Sequence, residues 1–263
     1  MAETGRYLYA VSRGLAPGAL AEHRGLDDAG LELVEKDGLV AVVSDVDLDV
    51  YGEEGLRAHL EDLAWLERVA RRHDEVVQAV AEQAPTAPLR LATICLDDDG
   101  VRSRLREWHD ALRQALDRVE GRREWSVKAY ARPRADASTE AATEAATGGA
   151  PRTSGGAGAA YLRRKRTQTD ERRAAEEQAV DAASAVHAVL SGAAVASRLL
   201  AAQDPRLTGH EGTMTLNGAY LVAAQDADSF VAEAERQAAG HPDLHLEVNG
   251  PWPPYSFATL DQP

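Results

Sequence analysis

Eight residues near the C-terminus, Gly250-Pro251-Trp252-Pro253-Pro254-Tyr255-Ser256-Phe257, constrain the fold more than any other stretch of the chain. Proline fixes its own φ, restricts the residue before it and donates no ladder hydrogen bond, so this segment is expected to be neither a helix nor an ordinary central strand. Only 5% of the chain is aromatic, yet Trp252, Tyr255 and Phe257 fall together here. Their burial, at roughly 25 cal/mol per Å², would tie down an end that otherwise frays. An extended proline-rich segment is also preorganised for a partner, because it has little entropy left to lose. Trp252, Pro253, Pro254, Tyr255 and Phe257 are therefore the expected contacts of a C-terminal docking tail, residues 250–263. The tail would close over its own domain, reach a partner, or do both.

Upstream of the tail the apolar period changes repeatedly. Arg6–Ser12 alternates as a strand, and Leu31–Glu35 and Leu39–Ser44 flank Lys36-Asp37-Gly38, whose Asp-Gly pair is a hairpin signal. From Glu53 to about Gln83 the residues Leu56, Leu60, Leu63, Leu66, Ala70, His73, Val77 and Val80 recur every three or four positions, which predicts one long amphipathic helix. Pro85 and Pro88 end it, and Leu89–Cys95 follows as a mostly apolar strand. Asp97, Asp98 and Asp99 supply cap and first-turn charge for a second helix striped by Val101, Leu105, Trp108, Leu112, Leu116 and Val119. Gly121 stops it.

Glu124–Tyr130 alternates again. Between Pro133 and Ala160 the composition then falls to Ala, Thr, Ser, Gly and Pro without a large aliphatic residue, so residues 133–160 are expected to form a flexible insert. A helix is expected from Tyr161 to about Leu190, with Ala179, Ala183, Val186 and Leu190 on one side. Ala194–Leu200 fits either a helical continuation or a strand. Strand-like Gly212–Ala224, helical Ser229–Ala239 and alternating Leu244–Val248 complete the series. Read as β-α-β-β-α-β, this is the ferredoxin-like split βαβ order. The expected architecture is α+β with two domains: an N-terminal α+β domain, 1–120, carrying the long amphipathic helix, and a ferredoxin-like domain, 121–249, followed by the proline-aromatic tail.

A chain of 263 residues with 43 acidic and 29 basic residues carries a formal net charge of -14, which argues against nucleic acid or an anionic membrane as a partner held by a positive field. One cysteine, Cys95, excludes an intrachain disulfide framework and fits a reducing cytoplasm. The N-terminus has no leader pattern, and no stretch approaches the ~18 apolar residues of a membrane span.

Catalytic signatures are missing from the sequence: there is no Gly-x-Ser-x-Gly elbow, Walker loop, Cys-x-x-Cys or His-Glu-x-x-His. The run Gly155-Gly156-Ala157-Gly158 lacks the Gly-Lys-Ser/Thr ending of a phosphate loop. Asp45, Asp47 and Asp49 have calcium-loop spacing, but Val50 and Leu56 stand where glycine and a bidentate glutamate are needed. His241 and His245 straddle Pro242 and share no helical face, and His73 on an apolar stripe reads as a satisfied core histidine. No cofactor or metal is expected. The cluster Arg163-Arg164-Lys165-Arg166 at a helix start is either a solvated end or a docking patch for an acidic partner, with Arg163, Arg164 and Lys165 as its candidates.

Several blocks together resemble one family: Tyr7-Leu-Tyr-Ala-Val11, Arg72-His73-Asp74 with Val76-Val77, Pro88-Leu89-Arg90 with Thr93, Glu124-Trp125-Ser-Val-Lys128 with Tyr130, Tyr161-Leu162 with Lys165, Leu216-Asn217 with Ala219-Tyr-Leu-Val222, and Gly250–Phe257. In this order they are similar to the gas vesicle protein F/L family. Where that family tends to have Phe-Gly after Pro-Leu-Arg, this chain has Leu91-Ala92. The resemblance implies a non-enzymatic, cytoplasmic, gas vesicle associated accessory protein. Its partners would be the small apolar shell subunit and other gas vesicle accessory proteins, and its role to prevent aggregation of that subunit during vesicle nucleation and assembly. A minor structural component retained in the vesicle wall is the alternative, and a small-molecule enzyme or sensor the remote one, since fold does not dictate function.

Overall fold

The computed structural model describes residues 3–59, 61–132, 157–203, 209–210 and 212–258, with the side chains of 157–162, 164 and 172 left aside. Most of the 133–160 insert thus lies outside the described residues, as does Leu60. The chain forms a mixed α+β structure with two sheets and divides into two compact units. Unit 1 comprises Met1–Trp125, Leu221–Ala227 and Asn249–Pro263; unit 2 comprises Ser126–Tyr220 and Asp228–Val248. The chain therefore returns to unit 1 twice, which a single boundary near residue 121 does not capture.

In unit 1, β1 (Thr4–Ser12) lies between β3 (Leu39–Asp47) and the short strands β4 (Thr86–Pro88) and β5 (Ile94–Cys95), with β2 (Glu32–Lys36) outside β3. Tyr7 to Val11 are all fully buried. Successive strand residues point to opposite faces, so both faces of this strand are covered. The β2–β3 hairpin turns at Asp37 and Gly38, both at positive φ (51° and 79°), as a two-residue primed turn requires. The β1–β3 register shifts between Leu8 and Ala10. Tyr9 is the extra residue of this bulge.

Two expectations need correction here. The helix from Glu53 is not continuous: after α1 (Leu48–Tyr51), α2 (Glu53–His59) is followed by α3 (Leu63–Gln83), whose N-cap Asp62 accepts a hydrogen bond from Trp65 N at 3.0 Å. The buried stripe is accordingly Trp65, Val69, His73, Val76, Val77 and Val80, while Leu63 is 77% exposed. The apolar run Leu89–Cys95 is not one strand either. Both β4 and β5 pair with β1, and the intervening turn places Ala92 at φ 62°.

The second helical stretch holds as read, in two parts joined at Trp108: α4 (Asp98–Glu107) and α5 (His109–Val119). Asp97 caps α4 by accepting from Gly100 N at 2.8 Å, and all six residues of the expected stripe are buried.

Strand β6 (Arg122–Ala131), helix α6 (Ala157–Gly192), β7 (Ala196–Leu199), β8 (Met214–Ala223), α7 (Ala227–Gly240) and β9 (Leu244–Trp252) follow. Their sheet has the order β7-β8-β6-β9. Helix α6 begins four residues before the expected Tyr161, its buried side being Ala179, Ala183, Val186 and Leu190 as read. Ala196–Leu199 resolves as a strand. Strand β9 runs past Val248 to Trp252, and Tyr255–Ala258 forms one helical turn, α8, so the tail is more regular than its prolines suggest. The reason is position: at a sheet edge a proline needs no ladder partner on its outer side, and Pro253-Pro254 lie just before a helix start, where a missing N–H costs little.

Candidate functional site

The tail is fastened to unit 1 through its last helical turn. The Glu124 carboxylate, 7% exposed, accepts from Ser256 N at 2.8 Å and from Ser256 Oγ at 2.6 Å. Arg118 donates to the Phe257 carbonyl at 2.8 Å, and the Tyr255 hydroxyl donates to Asp74 at 3.0 Å. Pro253, Pro254 and Phe257 are buried, and α8 packs on α5 and β4. At Gly250 an added Cβ would lie 2.9 Å from the Trp125 ring and 3.0 Å from the Glu124 carbonyl, so only glycine lets the two strands approach. Trp252 is the exception to the expected anchoring: it is 45% exposed, and Phe257 carries the burial instead. Glu124 as the tail's counterpart is not visible from local spacing, because the two segments meet only in the fold.

His73 is a core residue. Its Nε2 lies 3.2 Å from the Leu89 carbonyl, which can only accept, so that nitrogen carries the proton and Nδ1 accepts from the Tyr7 hydroxyl at 3.0 Å. Tyr7 in turn accepts from Ala92 N at 3.1 Å. Burial, the largest effect, pushes the His73 pKa down to about 4, and burial likewise raises Tyr7. The chain β1, α3 and the β4–β5 turn are thus joined by one neutral hydrogen-bond relay.

The other candidates are solvated. Arg163 and Lys165 are exposed on α6; the side chain of Arg164 lies outside the described residues. Asp45 pairs with Arg6 at 2.9 Å, and Asp47 caps α1 through Asp49 N at 2.9 Å. A charged recess in unit 1 is lined by Glu22, His23, Arg24, Asp28, Arg72 and Glu75. Arg72 bridges Asp28 (3.3 Å) and Glu75 (3.1 Å), so its guanidinium is already engaged within the recess.

Unit 2 has a different kind of surface, which sequence reasoning missed. β7 closes one end of its sheet, and next to it Val195, Leu199 and Leu200 are 53%, 64% and 44% exposed. On α6, Val180 and Val189 are exposed as well. Asn217 on β8 holds this edge in place. Its carbonyl accepts from Leu200 N at 2.8 Å while its side-chain amide donates to the Ala201 carbonyl at 2.7 Å. Among the described residues no further strand pairs with the outer side of β7. A terminal strand with apolar side chains exposed on and beside it is the kind of sheet margin that takes up another chain. No helix among the described residues is long and apolar enough to cross a membrane.

Residues 5–259 match a family described as gas vesicle synthesis protein GvpL/GvpF. Gas vesicle protein L of a Streptomyces species (strain CB03234) is 40% identical over 257 residues, covering 97% of this chain and 93% of that protein. Gas vesicle protein F of the same organism is 28% identical over 253 residues, covering 95% and 98%. The fold is similar to the crystal structure of GvpF from Anabaena sp. PCC7120, with a TM-score of 0.66 and 19% identity over 98% of each chain.

Proposed function

The chain belongs to the gas vesicle synthesis protein GvpL/GvpF family, and from that premise we propose that it is a non-enzymatic accessory protein that binds the small apolar shell subunit and keeps it from aggregating while vesicles nucleate and grow. The observation that carries this reading is that β7 is the terminal strand of the unit 2 sheet among the described residues, with Val195, Leu199 and Leu200 exposed on and beside it. A subunit that polymerises through apolar faces and strand edges needs such a surface covered until it is placed. The order β7-β8-β6-β9 supports reading unit 2 as a ferredoxin-like split βαβ domain, whose edge strand would be the contact. Greater identity to protein L than to protein F of one organism supports an L-type role.

Co-expression of the shell subunit with and without this chain tests the reading. The expected result is more soluble subunit and a recoverable complex, and loss of both in Leu199→Lys/Leu200→Lys. Unchanged solubility with no complex overturns the function. A complex untouched by the double variant overturns only the assignment to β7. Detection of the chain on washed, intact vesicles would establish a retained wall component instead, and the same preparations would reveal other accessory proteins bound to it.

A further inference from the structure

In unit 2, far from the β7 edge in the strand order, two imidazoles and a carboxylate converge. His245 and Glu247 are two apart on β9 and so face the same way, and His210 comes to them from the segment before β8. One ligand atom from each of His210, His245 and Glu247 lies within 4.8 Å of the other two. His210 Nε2 is 2.6 Å and His245 Nε2 is 3.7 Å from the same Glu247 Oε1. Tyr130 of β6, the strand between β8 and β9, stacks on the His210 ring at 4.1 Å between centroids and 28°. The His210 and His245 rings are themselves 5.3 Å apart.

We propose that His210, His245 and Glu247 form a binding site for a divalent first-row transition metal ion, zinc foremost. Two neutral imidazole nitrogens and a carboxylate oxygen are the donor set that suits zinc, cobalt and nickel rather than calcium or magnesium. Metal–ligand distances of about 2.0 to 2.2 Å put tetrahedral donors roughly 3.3 Å apart, so small side-chain rotations close the set. Each group is partly exposed, which provides an entry path and leaves a fourth position for water. Tyr130 supplies the outer shell by stacking on the His210 ring. Bound metal would tie the segment before β8 to β9.

The sequence pair His241 and His245 does not show this site, because its third member, His210, comes from a distant part of the chain. Cys95, the one thiol, is buried in unit 1.

The experiment uses the full, tag-free chain stripped by a chelator. Zinc is titrated in competition with a chromogenic chelator, and cobalt is added separately for its visible spectrum. The expected results are one equivalent of zinc per chain, a four-coordinate cobalt spectrum with no thiolate charge-transfer band, and a rise in Tm with metal. His245→Ala and Glu247→Gln should each weaken zinc by roughly tenfold or more, while His241→Ala leaves it unchanged. Binding below one equivalent, a thiolate band, or binding undiminished in His245→Ala and Glu247→Gln overturns the proposal. The cobalt spectrum of the unaltered chain decides the matter even where a variant folds poorly.

Discussion

Glu124 and Ser256, 132 positions apart, are joined by two hydrogen bonds to one carboxylate, and Ser256 N–H and Oγ–H both donate to it. The carboxylate is 7% exposed, so its removal would strip two donors of a charged acceptor in a place with little access for water. Glu124→Ala is expected to lower stability by about 2 to 3 kcal/mol, read as a shift in the urea midpoint. Hydrogen exchange at Ser256 and Phe257 should rise towards the rate of an unfastened terminus. Protection unchanged at both amides would contradict the arrangement.

Phe257 and Trp252 should respond oppositely to truncation. Phe257 is 2% exposed, so Phe257→Ala should cost about 3 to 5 kcal/mol through lost transfer energy and a cavity. Trp252, 45% exposed, should cost less than about 1 kcal/mol as alanine. Chemical denaturation of both variants checks the pair, and a larger loss at Trp252 would reverse the assignment of the anchor.

His73 makes stability depend on pH in mild acid. Its folded pKa is depressed to about 4 from 6.5, so below pH 6.5 the unfolded chain binds the extra proton and the folded chain does not. Stability is therefore complete above pH 6.5 and falls as the pH drops towards 4, by about 3 kcal/mol in all. His73→Gln retains an acceptor for Tyr7 and a donor for Leu89 without titrating. Denaturation curves for this variant should be flatter than those of the parent chain between these limits, and equal slopes would remove His73 as the cause.

Ala92 occupies φ 62°, where a Cβ costs an L-residue roughly 1 kcal/mol. Ala92 holds this left-handed backbone with a Cβ in place. Ala92→Gly should stabilise by up to about 0.6 kcal/mol once the greater freedom of glycine in the unfolded chain is subtracted. A thermal melt measures this directly, and a lowered Tm would show that the strain is relieved elsewhere.

Local signals were legible where one residue decides the structure. Asp97 starts α4, Gly38 turns the hairpin, and the stripe from Val101 to Val119 is buried throughout. Periodicity was less informative where a cap intervenes. Leu56, Leu63 and Ala70 continue a helical spacing, yet Asp62 captures Trp65 N and restarts the helix on a rotated face. Leu89–Cys95 reads as a strand because its composition is apolar, and the left-handed Ala92 that breaks it has no local marker. The remaining contacts, Glu124 with Ser256 and His210 with Glu247, join segments far apart in the chain. Only the strand order brings them together, and no window of residues contains it.

Because unit 1 combines residues 1–125 with α8, which follows more than a hundred residues later, it cannot be finished as residue 125 emerges from the ribosome. During most of synthesis the Glu124 carboxylate and the surface awaiting Phe257 stand open, and they close only when residue 258 is released. A nascent chain stalled before α8 would thus be a distinguishable, protease-sensitive species, and emergence of α8 would be the event that locks the first-made half.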